Sequence, residues 1–156
     1  MSVQPLNPRP APTKWTRPLQ MTVAVGSLLT TIGTAIVLGY VTPEQIAANS
    51  PNLSAQEIDS FLVGYRIVGL VFLAANTIGL LAMRGKTWIF YFVLVLDLVQ
   101  GIGFLTFDRT SAGLHDLGLI ASITTDGGGG VLALVMLGFL VSYRTAWARR
   151  RVVTQL

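Results

Sequence analysis

Residues 88 to 107 read WIFYFVLVLDLVQGIGFLTF, an apolar run of 20 residues with Asp97 and Gln100 inside it. At roughly 1.5 Å per residue, about 20 apolar residues cross a hydrocarbon core of about 30 Å. The run therefore predicts a membrane-spanning helix.

Three more runs of the same kind flank it. Leu19 to Val41 holds 23 residues without a charge. Phe61 to Met83 also holds 23 and is broken only by Arg66 and Asn76. Val131 to Tyr143 is apolar but short. It lengthens backward through Gly127–Gly130 or forward to Trp147, and the expected span is 127–147. The fold class that follows is all-α: an antiparallel four-helix transmembrane bundle over residues 19–147, with short interfacial helices in the outer loops.

Composition points the same way. Of 156 residues, 52% are apolar and 12% charged, where a soluble domain carries about 25% charged residues. The mean hydropathy is +0.63. A water-soluble globule, a disordered chain and a coiled coil are all excluded. The chain has no cysteine, so thiol catalysis, thiolate metal sites and a disulfide framework are excluded as well. A single histidine rules out a multi-histidine metal site or a bis-histidine haem within one chain. No metal and no cofactor is expected.

The pI of about 10 reflects topology rather than nucleic acid. Nine of the eleven basic residues sit at three places: Arg9, Lys14 and Arg17; Arg84 and Lys86; Arg144 and Arg149–Arg151. The loop from Thr42 to Ser60 carries Glu44, Glu57 and Asp59 and no lysine or arginine; the loop from Asp108 to Asp126 carries only Arg109 as a basic residue. The positive-inside rule then puts both termini in the cytoplasm. Trp15, Trp88 and Trp147 flank spans on the basic side, where indole rings anchor at the interface. Residues 1–18 contain five prolines and read as a disordered cytoplasmic tail rather than a signal peptide. Residues 148–156 read as a basic cytoplasmic tail. Arg149, Arg150 and Arg151 would attract anionic lipid headgroups, or act simply as a stop-transfer anchor.

The outer loops carry helix-start signals. Thr42-Pro43-Glu44-Gln45 and Ser54-Ala55-Gln56-Glu57 both have the capping-box pattern. The stretch Leu114 to Ile123 is apolar enough to lie on the outer interface. Asn52-Leu53-Ser54 matches a glycosylation sequon by a pattern too short to carry weight. His115-Asp116 lies in an outer loop, where a lone histidine is usually just exposed. Asp126 followed by Gly127–Gly130 lacks the Lys-Ser/Thr of a P-loop. The glycines serve either a turn or a close backbone approach.

Asp97 is the residue that most invites a function. It falls near the membrane midplane, where a charge costs roughly 2.5–3.5 kcal/mol on insertion scales. It reads either as a hydrogen-bonded clasp between helices or as a proton or cation site. Gln100 shares its helix face. Asn76 lies on the facing helix. Arg66 lies about 10 Å higher by helical rise. It is either the counter-charge of Asp97 or snorkels outward. In the first span Gly26, Thr30, Gly33 and Thr34 make a small-residue face suited to tight helix packing, within the chain or between chains.

With these features the chain resembles the small uncharacterised four-helix integral membrane proteins of actinobacteria. The resemblance rests on the proline-rich basic tail, Arg66 in the second span, Asp97 in the third, and the loop from His115-Asp116 to the Asp126-glycine run. In layout it is also similar to DoxX-like four-helix proteins, and no catalytic residue carries over from either group. The expected function is a non-enzymatic accessory or structural subunit of the cell membrane, alone, as a homo-oligomer or in a membrane complex. The alternative is a small oligomeric transporter or proton/ion conduit using Asp97, Arg66, Asn76 and Gln100. A reporter active only in the cytoplasm, fused after Leu156, is expected to be active; a fusion that is expressed but silent would reverse the orientation.

Overall fold

The computed structural model describes residues 9–106, 108–109 and 116–152. His115 and Leu114 lie outside these. In chain order the elements are β1 (Arg9–Ala11), α1 (Thr16–Tyr40), α2 (Pro43–Asn49), α3 (Ala55–Gly79), α4 (Thr87–Thr106), α5 (Asp116–Ser122), α6 (Gly128–Tyr143) and β2 (Arg150–Val152). A tight helical turn at Leu80–Arg84 prolongs α3, and a wide one at Ile123–Gly127 joins α5 to α6. Among the described residues, four rods are long and apolar enough to cross a membrane: Thr16–Tyr40, Ala55–Arg84, Thr87–Thr106 and Leu117–Tyr143.

Local chemistry sets where the rods start and stop. Pro18 is accommodated in α1 because it falls in the first turn, where a backbone N–H has no intrahelical acceptor. The two outer capping boxes form as their sequences imply. At α2 the Gln45 N–H donates to Thr42 Oγ1 at 3.4 Å and the Thr42 N–H to Gln45 Oε1 at 3.3 Å. At α3 the Glu57 N–H donates to Ser54 Oγ at 3.3 Å and the Ser54 N–H to Glu57 Oε2 at 2.8 Å. The rod of α3 closes on Gly85, whose φ of 62° is the left-handed conformation that glycine adopts without strain.

The fourth rod corrects the expected span of 127–147. It occupies Leu117–Tyr143. The described part of the stretch expected to lie on the interface is instead the head of this rod. Gly127 and Gly128 keep right-handed helical torsions, so the glycine run neither breaks the helix nor turns it. Its use is close approach. A Cβ on Gly101 of α4 would lie 2.8 Å from the Gly130 Cα, and a Cβ on Gly130 would lie 3.0 Å from the Gly101 Cα. Two backbones touch there, and α4 and α6 are packed on each other along their length.

Two apolar clusters bracket the molecule. One, near the basic end, gathers Leu19, Val23, Ile89, Phe90, Met136 and Trp147 with their neighbours. The other, at the far end, joins Val41 and Ile46 to Ile58 and Leu62. The basic end is also tied by its two chain segments. β1 and β2 pair antiparallel, with Pro10 opposite Arg151. Residues 9–11 therefore belong to a ribbon, not to a disordered tail. Trp147 is fully buried rather than anchored at an interface: its ring meets Phe90 edge-on at 5.1 Å and its Nε1 donates to the Lys86 carbonyl at 2.9 Å. Trp15 and Trp88 are exposed.

The crossing of Gly101 and Gly130 yields a test. Gly101→Val forces two backbones apart and is expected to destabilise by about 1–3 kcal/mol. Gly138→Val, with nothing within 4 Å of the added Cβ, should not. Thermal unfolding in detergent compares them, and equal melting temperatures would remove the contact from the account.

Candidate functional site

Between the two apolar clusters lies a band of buried polar side chains. Asp97 and Gln100, one turn apart on α4, are both buried. They face Gly129 of α6, where a Cβ would stand 3.1 Å from Gln100 Oε1 and 3.6 Å from Asp97 Oδ1. A glycine at 129 leaves the two side chains room inside a helix–helix contact. Asp97 Oδ2 and Gln100 Oε1 have no hydrogen-bond partner among the described residues. Buried polar atoms are usually satisfied, so two such acceptors side by side call for a physical reason.

The other expected members are distributed differently. Asn76 is buried, and its Nδ2 donates to Thr34 Oγ1 on α1 at 3.4 Å. Arg66 is exposed on α3, among the exposed side chains of Val63 and Ile67. It is not brought to Asp97. The cause is the rotation of α3, which packs chiefly on α1: Gly69 admits Leu38, and Gly79 admits Ser27. That phase turns the Arg66 face away from α4.

The small residues of α1 lie against the fourth rod. Gly33 abuts the Thr125 side chain and the Ala121 carbonyl, and Gly26 abuts Leu132. Thr30 and Thr34 are buried, and their hydroxyls donate back to the Ser27 and Thr30 carbonyls at 3.1 and 2.8 Å.

A cavity of about 570 Å³ opens beside the polar band, bounded by α1, α3, α4 and the wide turn. That volume is in the range of small-molecule sites. Thr34, Gln100, Ser122 and Thr125 are its buried polar lining, Leu38, Val68, Phe72 and Val99 are its apolar lining, and Ser60, Tyr65 and Asp126 stand at its more exposed rim. From Ser60 to Phe72 it runs about 18 Å along α3 by helical rise. Its mouth lies at the surface, where Val68 is 55% exposed and Phe61 40%.

The rim holds an ionic group that the sequence did not reveal. Arg109 Nη2 lies 3.9 Å from Asp126 Oδ2, and Arg109 Nε donates to Ser122 Oγ at 3.1 Å. The Ser122 hydroxyl donates to Asp126 Oδ2 at 3.3 Å. Arg109 Nη2 also donates to the Phe104 carbonyl at 2.8 Å, with the guanidinium over the Phe104 ring. Ser122 and Asp126 are four residues apart, a helical pairing that becomes visible only once the helix is known to continue through the glycines. The wide turn that carries Asp126 is a form frequently found at functional sites.

A second cleft, of about 690 Å³, lies at the basic end among Lys14, Arg144, Arg149, Arg150 and Arg151. Arg149 is half-buried and donates from Nη2 to the Gly85 carbonyl at 2.9 Å, so it serves the fold. Arg150 and Arg151 are exposed. No group of three His, Cys, Asp or Glu side chains that could hold a metal occurs among the described residues. Comparison with protein-family models, curated proteins and solved structures finds no match to the chain.

The orphaned carboxylate oxygen sets the expected outcome of mutation. No group among the described residues donates a hydrogen bond to Asp97, so Asp97→Leu removes a desolvated polar group and strands none of them. It is expected to raise stability in detergent by about 1–3 kcal/mol, as removing one unsatisfied polar group does. A lowered melting temperature would mean that Asp97 is a clasp after all.

Proposed function

We propose that the chain is a multi-pass integral membrane protein of the cell membrane, its four rods antiparallel and both termini cytoplasmic. It acts as a non-enzymatic accessory subunit whose working surface is the crevice between α3 and α4. The observation that carries this reading is the shape of that crevice. Its exposed apolar lining side chains, Phe61, Val68 and Val99, lie on α3 and α4. Below Asp97, toward the basic end, lie Leu94, Val93, Phe90, Met136 and Trp147, all buried. A blind, side-opening pocket suits holding a molecule or a partner better than passing one through.

The rival reading is a small oligomeric transporter or proton/ion conduit using Asp97, Arg66, Asn76 and Gln100. The two unpartnered acceptors, Asp97 Oδ2 and Gln100 Oε1, favour it. The exposure of Arg66 and the apolar packing below Asp97 weigh against it. Anionic lipid headgroups on the cytoplasmic side would meet Arg150 and Arg151 first, since Arg149 is engaged with Gly85.

Absence of cysteine makes the crevice directly testable, because any introduced thiol is unique. Val68 lines the crevice, whereas Val71 is 64% exposed outside it. A water-soluble maleimide added from outside should label Val68→Cys about tenfold faster than Val71→Cys, because the reactive thiolate forms only where water reaches. Equally slow labelling at both positions would sink the open crevice.

A further inference from the structure

We propose that the cleft at the basic end is a binding site for a phosphomonoester. This rests on the reading that the basic end meets anionic headgroups, and it turns a diffuse attraction into a built site, remote from the crevice. Five cations line the cleft: Lys14, Arg144, Arg149, Arg150 and Arg151. No carboxylate joins them among the described lining residues. All seven Asp and Glu of the chain lie between Glu44 and Asp126, so the two segments that build the cleft bring no counter-charge of their own. Like charges gathered in this way repel one another. Orientation in the membrane does not require the gathering, because basic residues flanking separate spans set topology without meeting. An anion from outside the chain accounts for it.

The fold brings these charges together by specific contacts. The positive φ of Arg144, Trp147 and Ala148 reverses the chain after α6 and returns Arg149–Arg151 to the cleft that Arg144 lines. Strained backbone of this kind is held at ligand clamps. The ribbon sets Arg150 opposite Ala11, and the Thr13 hydroxyl donates to the Ala148 carbonyl, which fixes the segment that carries Lys14. Arg149 is spent on the Gly85 carbonyl and adds its charge to the wall. Lys14, Arg144, Arg150 and Arg151 are exposed and able to reach a ligand. A guanidinium matches phosphate with two parallel N–H bonds. A monoester offers three terminal oxygens and up to two charges to this set, more than a singly charged diester does. Trp15 lies beside the cleft, 43% exposed, with its ring 5.9 Å from Phe139 and the Lys14 ammonium 5.7 Å from its centroid. An exposed tryptophan there sets the mouth at headgroup level.

The test uses the full chain in dodecyl maltoside, with bound lipid counted by native mass spectrometry. The probes are dioleoyl phosphatidic acid, a monoester, and dioleoyl phosphatidylglycerol, a diester, offered at equal total charge, with dioleoyl phosphatidylcholine as the baseline. Phosphatidic acid should bind about tenfold tighter than phosphatidylglycerol. Arg144→Asn, which keeps a residue tolerant of positive φ, and Arg150→Gln should each weaken it about tenfold, the loss of one charge-assisted contact. Arg84→Gln removes an equal charge at the same end but outside the cleft lining, and should change the Kd less than about twofold. Glycerol 3-phosphate separates the two sources of the group: affinity equal to that of phosphatidic acid assigns a free phosphomonoester, and much weaker affinity assigns the lipid. Equal binding of the two anionic lipids, or equal weakening by Arg84→Gln and the cleft variants, overturns the site and leaves only diffuse attraction. Absence of any binding above phosphatidylcholine, glycerol 3-phosphate included, removes the site and the headgroup contact together.

Discussion

The contact on which the arrangement turns is the meeting of Gly101 with Gly130. With no side chain on either helix, the backbones of α4 and α6 come together at a distance that any Cβ would forbid. This close approach seats Gly129 against Asp97 and Gln100 and so fixes those side chains inside a helix–helix contact. It also makes α4 and α6 one unit, to which α1 adds its small-residue face through Gly26 and Gly33. The α3 rod is the element left over. It packs on α1 and is the least buried of the four. The space between it and α4 is the crevice.

The same geometry separates two carboxylates by their surroundings. Asp126 sits at the rim with a serine hydroxyl and a guanidinium within reach. Asp97 lies deeper, with one oxygen that nothing in the described chain satisfies. A purely structural polar clasp would resemble the first, because its value lies in hydrogen bonds made. Leaving a carboxylate oxygen unmet costs stability with no packing return. Stability alone therefore does not account for Asp97, whereas it does account for the Asp126 cluster and for the Asn76–Thr34 pair.

Much of the fold could be read from the residues, and the misses have particular causes. The apolar runs around Leu19–Val41 and Trp88–Phe107 need only length and composition, and the boxes at Thr42 and Ser54 need only local hydrogen bonding. The fourth rod starts earlier than its apolar run implies because the helix continues through four consecutive glycines, each of which weakens a helix by about 1 kcal/mol relative to alanine. What holds the helix there is the facing backbone of α4, which the sequence of the segment does not contain. Heights along the helix axes suggest the Arg66–Asp97 pairing. The angle about the axis decides it, and that angle is set by Leu38 fitting against Gly69 and Ser27 against Gly79. Trp147 sits at the basic edge of an apolar run like any interfacial tryptophan. Only the reversal of the chain after Tyr143 carries it inward.

That reversal fixes the closed end of the crevice. Arg144, Trp147 and Ala148 all have positive φ, at 53°, 61° and 49°. Each such residue outside glycine costs about 1–2 kcal/mol. The strain is held by contacts that converge on one turn. The Trp147 indole donates to Lys86, the Arg149 guanidinium donates to Gly85, and the Thr13 hydroxyl donates to the Ala148 carbonyl at 2.6 Å. Gly85 and Lys86 are the link between the α3 rod and α4. The Trp147–Arg149 segment, itself held by Thr13, therefore clamps the base from which these two helices diverge, while the far-end halves of the same helices border the crevice. The width of the mouth is consequently set by the outer half of α3, from Phe61 to Phe72, and not by the strained, tightly bonded turn beneath it.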